Sequence, residues 1–210
     1  VTMEAPTHYQ LKGTSALPYK KNGYLTFGAY ARYEKMSDDC IQTYAEILRQ
    51  VPDSKIEFKD AAYHRPAAVK RIIKAFEGVE HDRLLFSLAT NHPEHMQAYQ
   101  QADLILEPAP HVGGGVGLEQ LWMGVPLLTM YGPHCGARTT SSVLTCIGRT
   151  NWIAKTTEEF IEKGAALAND GLKELADARK TLRDELLRSP VVAGYCEAVE
   201  KVFRDVWGIY

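Results

Sequence analysis

Short apolar runs of strand length alternate along this chain with longer segments whose apolar residues recur every three to four positions. Tyr24 to Tyr30 reads as a strand from its aromatic and β-branched content. Ser37 then caps a predicted helix running to about Gln50, with Ile41, Tyr44, Ala45, Ile47 and Leu48 on its buried side. The alternation continues with a strand at Lys55–Lys59, a helix over Pro66–Phe76 begun by its proline, and a strand at Arg83–Leu88. A helix over Pro93–Gln101 and a strand at Asp103–Leu106 follow. After a glycine-rich turn, a helix from near Gly117 to Gly124 leads to a strand at Pro126–Met130 and a helix containing Ser141–Leu144. Thr156-Thr157-Glu158-Glu159 is a capping box for a helix through about Ala168. Gly171–Arg188 and Pro190–Trp207 are both helical in pattern. The second of them sets Val192, Tyr195, Val199, Val202, Phe203 and Val206 in one apolar stripe.

Repeated strand–helix units imply a Rossmann-like α/β fold, a parallel sheet with helices on both faces and a helical tail. Three regions are expected: an extended linker over 1–23, polar and without period; the strand–helix domain over 24–188; and a C-terminal helical segment over 189–210. In such sheets ligands bind beyond the carboxyl ends of the strands. The turns at Ala29–Lys35, Ala89–His95, Glu107–Gly117 and Met130–Arg138 all follow strands, so they should gather at one edge.

The 210 residues, 45% hydrophobic and 24% charged, are ordinary globular composition. A net charge of −2 leaves no electrostatic footprint for nucleic acid or acidic membranes. No apolar run approaches the ~20 residues of a membrane span, and no signal-peptide pattern opens the sequence, so a cytoplasmic location is expected. Cys40, Cys135, Cys146 and Cys196 are widely spaced and form no C-x-x-C, which predicts buried free thiols rather than zinc or disulfide chemistry.

The turn holds the chemistry. Gly113, Gly114, Gly115 and Gly117 leave the backbone free to approach a ligand, and the helix behind them offers unpaired N–H groups and a positive dipole end to phosphate. Glu119 is expected in that helix's first turn, suited to ribose hydroxyls. A tight strand-to-helix turn with no ligand is the competing reading. Neither G-x-x-x-x-G-K-[ST] nor G-x-G-x-x-G is present, since position 118 is Leu. Lys35 can reach a diphosphate as a point charge, or be a solvated lysine. His92 and His95 open a helix with H-x-x-H spacing, but no third ligand accompanies them, and contact with a ligand or local capping is favoured over metal. His111 leads the glycine turn. His134 and Cys135 read as loop residues, and Arg138 serves either phosphate or an internal salt bridge.

Phe27-Gly28-Ala29-Tyr30, Lys35-Met36-Ser37, Trp122-Met123-Gly124-Val125-Pro126-Leu127-Leu128-Thr129, Arg138 with Ser142-Val143-Leu144, and Ser189-Pro190 appear in order. From about Tyr24 to Tyr210 the chain resembles the C-terminal lobe of the O-linked N-acetylglucosamine transferase family, including SPINDLY-type proteins and, more distantly, HMW1C-like enzymes. The resemblance implies a GT-B lobe that binds a nucleotide sugar, usually UDP-linked, within an inverting transferase acting on protein side chains. It needs no metal and no other cofactor. It implies that Lys35 and His95 carry catalytic roles, Lys35 on the donor diphosphate and His95 beside the nucleotide. Glu119 takes the ribose-binding position, His111 a place near the transferred sugar, and His92 a position that in the family can be Lys. Gly114-Gly115-Val116 stand where the family has His-Thr-Thr, so with Gly113 and Gly117 the turn offers the diphosphate backbone groups alone. The implied partners are a protein acceptor, an N-terminal lobe onto which the C-terminal helix packs, and helical repeats. A non-catalytic lobe kept for protein contact, or an epimerase-like nucleotide-sugar protein, are the alternatives.

Overall fold

The computed structural model describes residues 14–208. In chain order it contains α1 (Tyr19–Asn22), β1 (Leu25–Ala29), α2 (Asp38–Gln50), β2 (Ser54–Lys59), α3 (Pro66–Ala75), β3 (Leu84–Ser87), α4 (His92–Ala98), β4 (Leu104–Leu106), α5 (Gly115–Trp122), β5 (Leu127–Met130), α6 (Thr139–Cys146), β6 (Ile153–Ala154), α7 (Thr157–Asn169), α8 (Leu172–Arg188) and α9 (Tyr195–Trp207). The strands form one sheet in the order β3-β2-β1-β4-β5-β6, and every neighbouring pair is parallel. The path steps one way from β1 to β3 and the other way from β4 to β6. Right-handed crossovers therefore place α2 and α3 on one face and α5 and α6 on the opposite one. The reversal falls between β1 and β4, whose register pairs Phe27 with Leu104 and Gly28 with Ile105.

Strands covered on both faces are apolar throughout. β1 is buried at every position, as are all three residues of β4. Gly28 is required at the reversal, because a Cβ there would lie 2.6 Å from Ile105 Cδ1 and 2.9 Å from Ala102 Cβ. α2 follows the expected pattern: Ser37 Oγ accepts from the Cys40 N–H at 3.2 Å, and Ile41, Tyr44, Ile47 and Leu48 are fully buried. Each such side chain contributes roughly 1.5–3 kcal/mol by leaving water. Thr156 Oγ1 likewise accepts from the Glu159 N–H, capping α7, while the Glu159 carboxylate takes the Lys155 N–H.

Several expectations need adjusting. Residues 1–13 of the expected linker lie outside the described residues. Residues 14–23 hold the short helix α1 and bury Leu17. They are fastened to the domain by two buried charges. Asp103 accepts from the Tyr19 and Thr26 N–H groups, both at 2.9 Å. Arg179 on α8 donates to Ser15 O, Ser15 Oγ, Gln100 O and Ala102 O at 2.8–3.1 Å. β6, only two residues long, had no legible pattern. α9 starts at Tyr195 rather than Pro190: Val192 and Ala193 donate to Ser189 O in a turn, and Gly194 at φ +78° interrupts before the helix begins. The thiols also differ from expectation, since only Cys40 is buried. Cys135 sits in a loop, Cys146 ends α6, and Cys196 lies on α9, which has no buried residue. No helix among the described residues is long and apolar enough to cross a membrane.

Candidate functional site

The loops leaving β1 and β4 flank the reversal of strand order, where an open parallel sheet splits into a crevice. The first carries Lys35 at the end of a single 3-10 turn, Tyr33–Lys35. The second carries His111 and the glycine turn. The two meet directly, because Lys35 Nζ donates to Val112 O at 3.0 Å. Arg32, Glu34, Lys35 and His111 border a pocket of about 420 Å³, which puts the exposed His111 imidazole on the Lys35 side of the turn.

The turn is shaped from beneath by Glu107, 3% exposed. Glu107 Oε1 accepts from the Gly113 N–H at 2.6 Å and from the Thr140 hydroxyl at 2.7 Å, and Oε2 from the Thr129 hydroxyl at 2.5 Å. Burial pushes the Glu107 carboxyl above its ordinary value, opposed by these three donors and by the Lys35 charge. The glycines then divide by direction. A Cβ on Gly113 would lie 2.9 Å from Glu107 Oε1, and one on Gly117 would lie 3.0 Å from Thr140 Oγ1, so both face inward. Gly114 adopts φ +56°, ψ −110°, a backbone that side chains avoid. A Cβ on Gly115 would meet nothing within 4 Å. The N–H groups of Gly114 and Gly115 make no hydrogen bond among the described residues, whereas the Gly113 N–H is committed inward. Val116 is half-buried against the core.

α5 starts at Gly115, two residues before its expected start, and ends at Trp122. Glu119 therefore lies in the second turn rather than the first, and the first turn holds no acidic residue. The shift has a local cause: Gly114 supplies the positive-φ step that lets the helix begin at once. From the second turn Glu119 faces α4. Oε1 accepts from His92 Nε2 and Oε2 from the Tyr99 hydroxyl, both at 3.0 Å. The Tyr99 oxygen lies 2.9 Å from His95 Nε2. Because Tyr99 gives its proton to Glu119, His95 Nε2 carries a proton and donates to Tyr99. Burial first, and the Lys59 charge second, push the His95 imidazole below its ordinary value, so the ring is held neutral.

The expected residues thus fall into two adjoining groups, Lys35 with His111 and the glycine turn, and His92 with His95 and Glu119, joined through α5. The two histidines of the H-x-x-H pair use Nε2 toward different partners, and no cluster of three His, Cys, Asp or Glu suited to a metal occurs among the described residues. Arg138 makes no internal salt bridge among the described residues. It donates to Gly132 O and Pro133 O at 2.7 Å and stacks over Tyr131, closing the loop after β5. His134 and Cys135 lie in that same loop. An open groove of about 360 Å³ runs from Gly115 and Glu119 past Leu118 and Trp122 to Leu186, Val191 and Val192.

Sequence reasoning missed Glu107, Tyr99 and Asn91. Asn91 was findable: its side chain accepts from the Glu94 N–H at 3.0 Å, and Asn-x-x-Glu before a helix is a start signal. Glu107 and Tyr99 had no such local mark. Chemically, the site offers N–H groups without a partner among the described residues at a helix start and one ammonium, chemistry suited to a diphosphate, with a carboxylate one helical turn farther, suited to hydroxyls.

A profile of glycosyl transferase family 41 matches residues 10–197. A Hordeum vulgare protein described as a probable UDP-N-acetylglucosamine–peptide N-acetylglucosaminyltransferase SPINDLY is 33% identical over 199 residues, 92% of this chain and 21% of that one. The chain thus spans about a fifth of the length of such relatives. Among solved structures, a Thermobaculum terrenum O-GlcNAc transferase mutant superposes with a TM-score of 0.80 at 26% identity, over 89% of this chain and 36% of that one. The C-terminal domain of a group 1 glycosyl transferase from Francisella tularensis shares the fold, with a TM-score of 0.60 at 12% identity over 85% of this chain and 95% of that domain.

Proposed function

The chain belongs to glycosyl transferase family 41, and from that membership we propose that it is the donor-binding lobe of an inverting transferase that moves a sugar from a nucleotide, with UDP the expected carrier, to protein side chains. The observation that carries this reading is the contact between Lys35 and the glycine turn across the sheet's reversal. A donor diphosphate seated there meets the Lys35 ammonium and the N–H groups of Gly114 and Gly115 at the start of α5. As the sugar departs, negative charge grows on that diphosphate, and these fixed donors stabilise it without reorganising. Glu119, held by His92 and Tyr99, accepts from ribose hydroxyls. The nucleoside lies toward α4 and the neutral His95, and the sugar toward His111. Nothing in this scheme calls on a metal.

The acceptor site and the general base are assigned to a second lobe, with helical repeats docking the protein substrate. α9 supports that division. Tyr195, Val202, Phe203, Val206 and Trp207 are all 50–85% exposed, an apolar face of the kind that marks a contact surface. On this reading the chain alone binds donor but transfers no sugar. Four free thiols suit a reducing cytoplasm.

One observation favours a second reading, a lobe kept for protein contact. Gly114-Gly115-Val116 present no side-chain donor to a phosphate. Calorimetry with UDP, UDP-N-acetylglucosamine, UDP-glucose and GDP-fucose separates the two. Binding by the wild type that is lost in Glu119→Ala supports the donor site. Absence of binding by all four sinks it in favour of the contact lobe.

A further inference from the structure

The peptide unit between Val112 and Gly113 is gripped at both ends. Its carbonyl accepts from Lys35 Nζ at 3.0 Å, and its N–H donates to Glu107 Oε1 at 2.6 Å. We propose that Glu107 is a positioning residue for donor binding: it fixes this peptide so that Gly114 and Gly115 turn their N–H groups outward to the diphosphate. The proposal rests on the donor-lobe reading and names a residue within it.

Three features carry the assignment. First, Glu107 makes no outward contact. Its three hydrogen bonds go to the turn, to β5 through Thr129 and to α6 through Thr140, so it ties the turn to both elements that follow it. Second, the turn offers a phosphate no hydroxyl or imidazole of its own at Gly114-Gly115-Val116, so its binding depends wholly on which way the peptides point. A flip of the Val112–Gly113 peptide would break both grips and turn a carbonyl toward the buried carboxylate. Third, the glycine pattern fits the carboxylate. The Gly113 position has no room for a Cβ beside Oε1, while Gly114 takes the positive φ that follows. An ammonium has three protons. Lys35 can therefore keep Val112 O while giving another to a diphosphate, and the peptide stays oriented when donor binds.

The test compares wild type, Glu107→Gln and Glu107→Ala, using UDP as probe and uridine as the phosphate-free control. Glu107→Ala should weaken UDP at least about tenfold while uridine changes little. Its amide exchange over 113–117 should rise. Glu107→Gln should recover most of the affinity, since one oxygen still serves Gly113 and Thr140 and the amide nitrogen can donate to Thr129 Oγ1. Should Glu107→Ala fail to fold, Gly113→Ala attacks the same contact by placing a Cβ 2.9 Å from Oε1, with the same selective loss expected. Equal losses for UDP and uridine, or UDP affinity and exchange both unchanged in Glu107→Ala, overturn the proposal. If the wild type binds no nucleotide, the donor-lobe reading fails. Amide exchange of the ligand-free protein then decides the Glu107 grip alone: faster exchange over 113–117 in Glu107→Ala supports it, and unchanged exchange overturns it.

Discussion

The Tyr99 hydroxyl stands between His95 and Glu119, accepting a hydrogen bond from His95 Nε2 at 2.9 Å and donating one to Glu119 Oε2 at 3.0 Å. One buried oxygen thereby fixes both the tautomer of a histidine on α4 and the direction of a carboxylate on α5. Tyr99→Phe keeps the ring against Tyr30, 5.7 Å between centroids, and removes only that oxygen. Stability should fall by about 1–3 kcal/mol, because His95 and Glu119 each lose a partner. Nucleotide affinity should fall several-fold, read by calorimetry beside a thermal melt.

His95 predicts a dependence on acid. Its folded-state pKa lies below the ordinary 6.5, so the unfolded chain binds the proton more readily. The stability it contributes is complete above the unfolded value and is lost as pH falls through the folded one. Melting temperature should therefore decline on acidification from about pH 6.5. His95→Asn should flatten that part of the profile while leaving the carboxylate-driven loss at lower pH.

Neighbouring glycines should respond oppositely. Gly114→Ala forces a side chain into φ +56° and should cost about 1–3 kcal/mol. Gly115→Ala places a methyl in open space at the first position of α5 and should be neutral or stabilising by about 0.5–1 kcal/mol. Chemical denaturation of the two variants checks the contrast, and equal effects would contradict the directions assigned to these residues.

These contrasts also mark what the sequence could and could not convey. Signals confined to a few adjacent residues were legible: the Ser37 and Thr156 caps, the alternation that orders the sheet, and the apolar stripe of α9. The turn's location was legible from its glycines, but the start of α5 was not, because any of four glycines could supply the positive φ. Glu107 and Tyr99 were illegible for another reason. Each has a near partner, Gly113 or His95, but the others, Glu119, Thr129 and Thr140, lie 20 to 33 positions away, and only the assembled sheet brings them together. Cys146 and Cys196 follow the same logic, since apolar character alone cannot say which helix face is covered.

Arg179 should prove costly to remove. It is 1% exposed, and burial lowers its guanidinium to about 10, opposed by the Asp103 charge. Arg179→Met leaves four carbonyl and hydroxyl contacts unmade and Asp103 without a nearby cation. A loss of about 3–5 kcal/mol is expected. Limited proteolysis should then cut within residues 14–23 faster than it does in the wild type.

β4 is three residues long, yet a buried carboxylate stands immediately before it and another immediately after it. Asp103 fastens the leading segment at the amino end, and Glu107 fastens the glycine turn at the carboxyl end. Four residue steps of extended chain set their backbones about 13 Å apart. The strand is thus a short rod with an anchor bolt at each tip. Any pull on residues 14–23 that slides the rod along its axis also moves the turn, which mechanically links the segment where the described chain enters the domain to the edge that carries the proposed donor site.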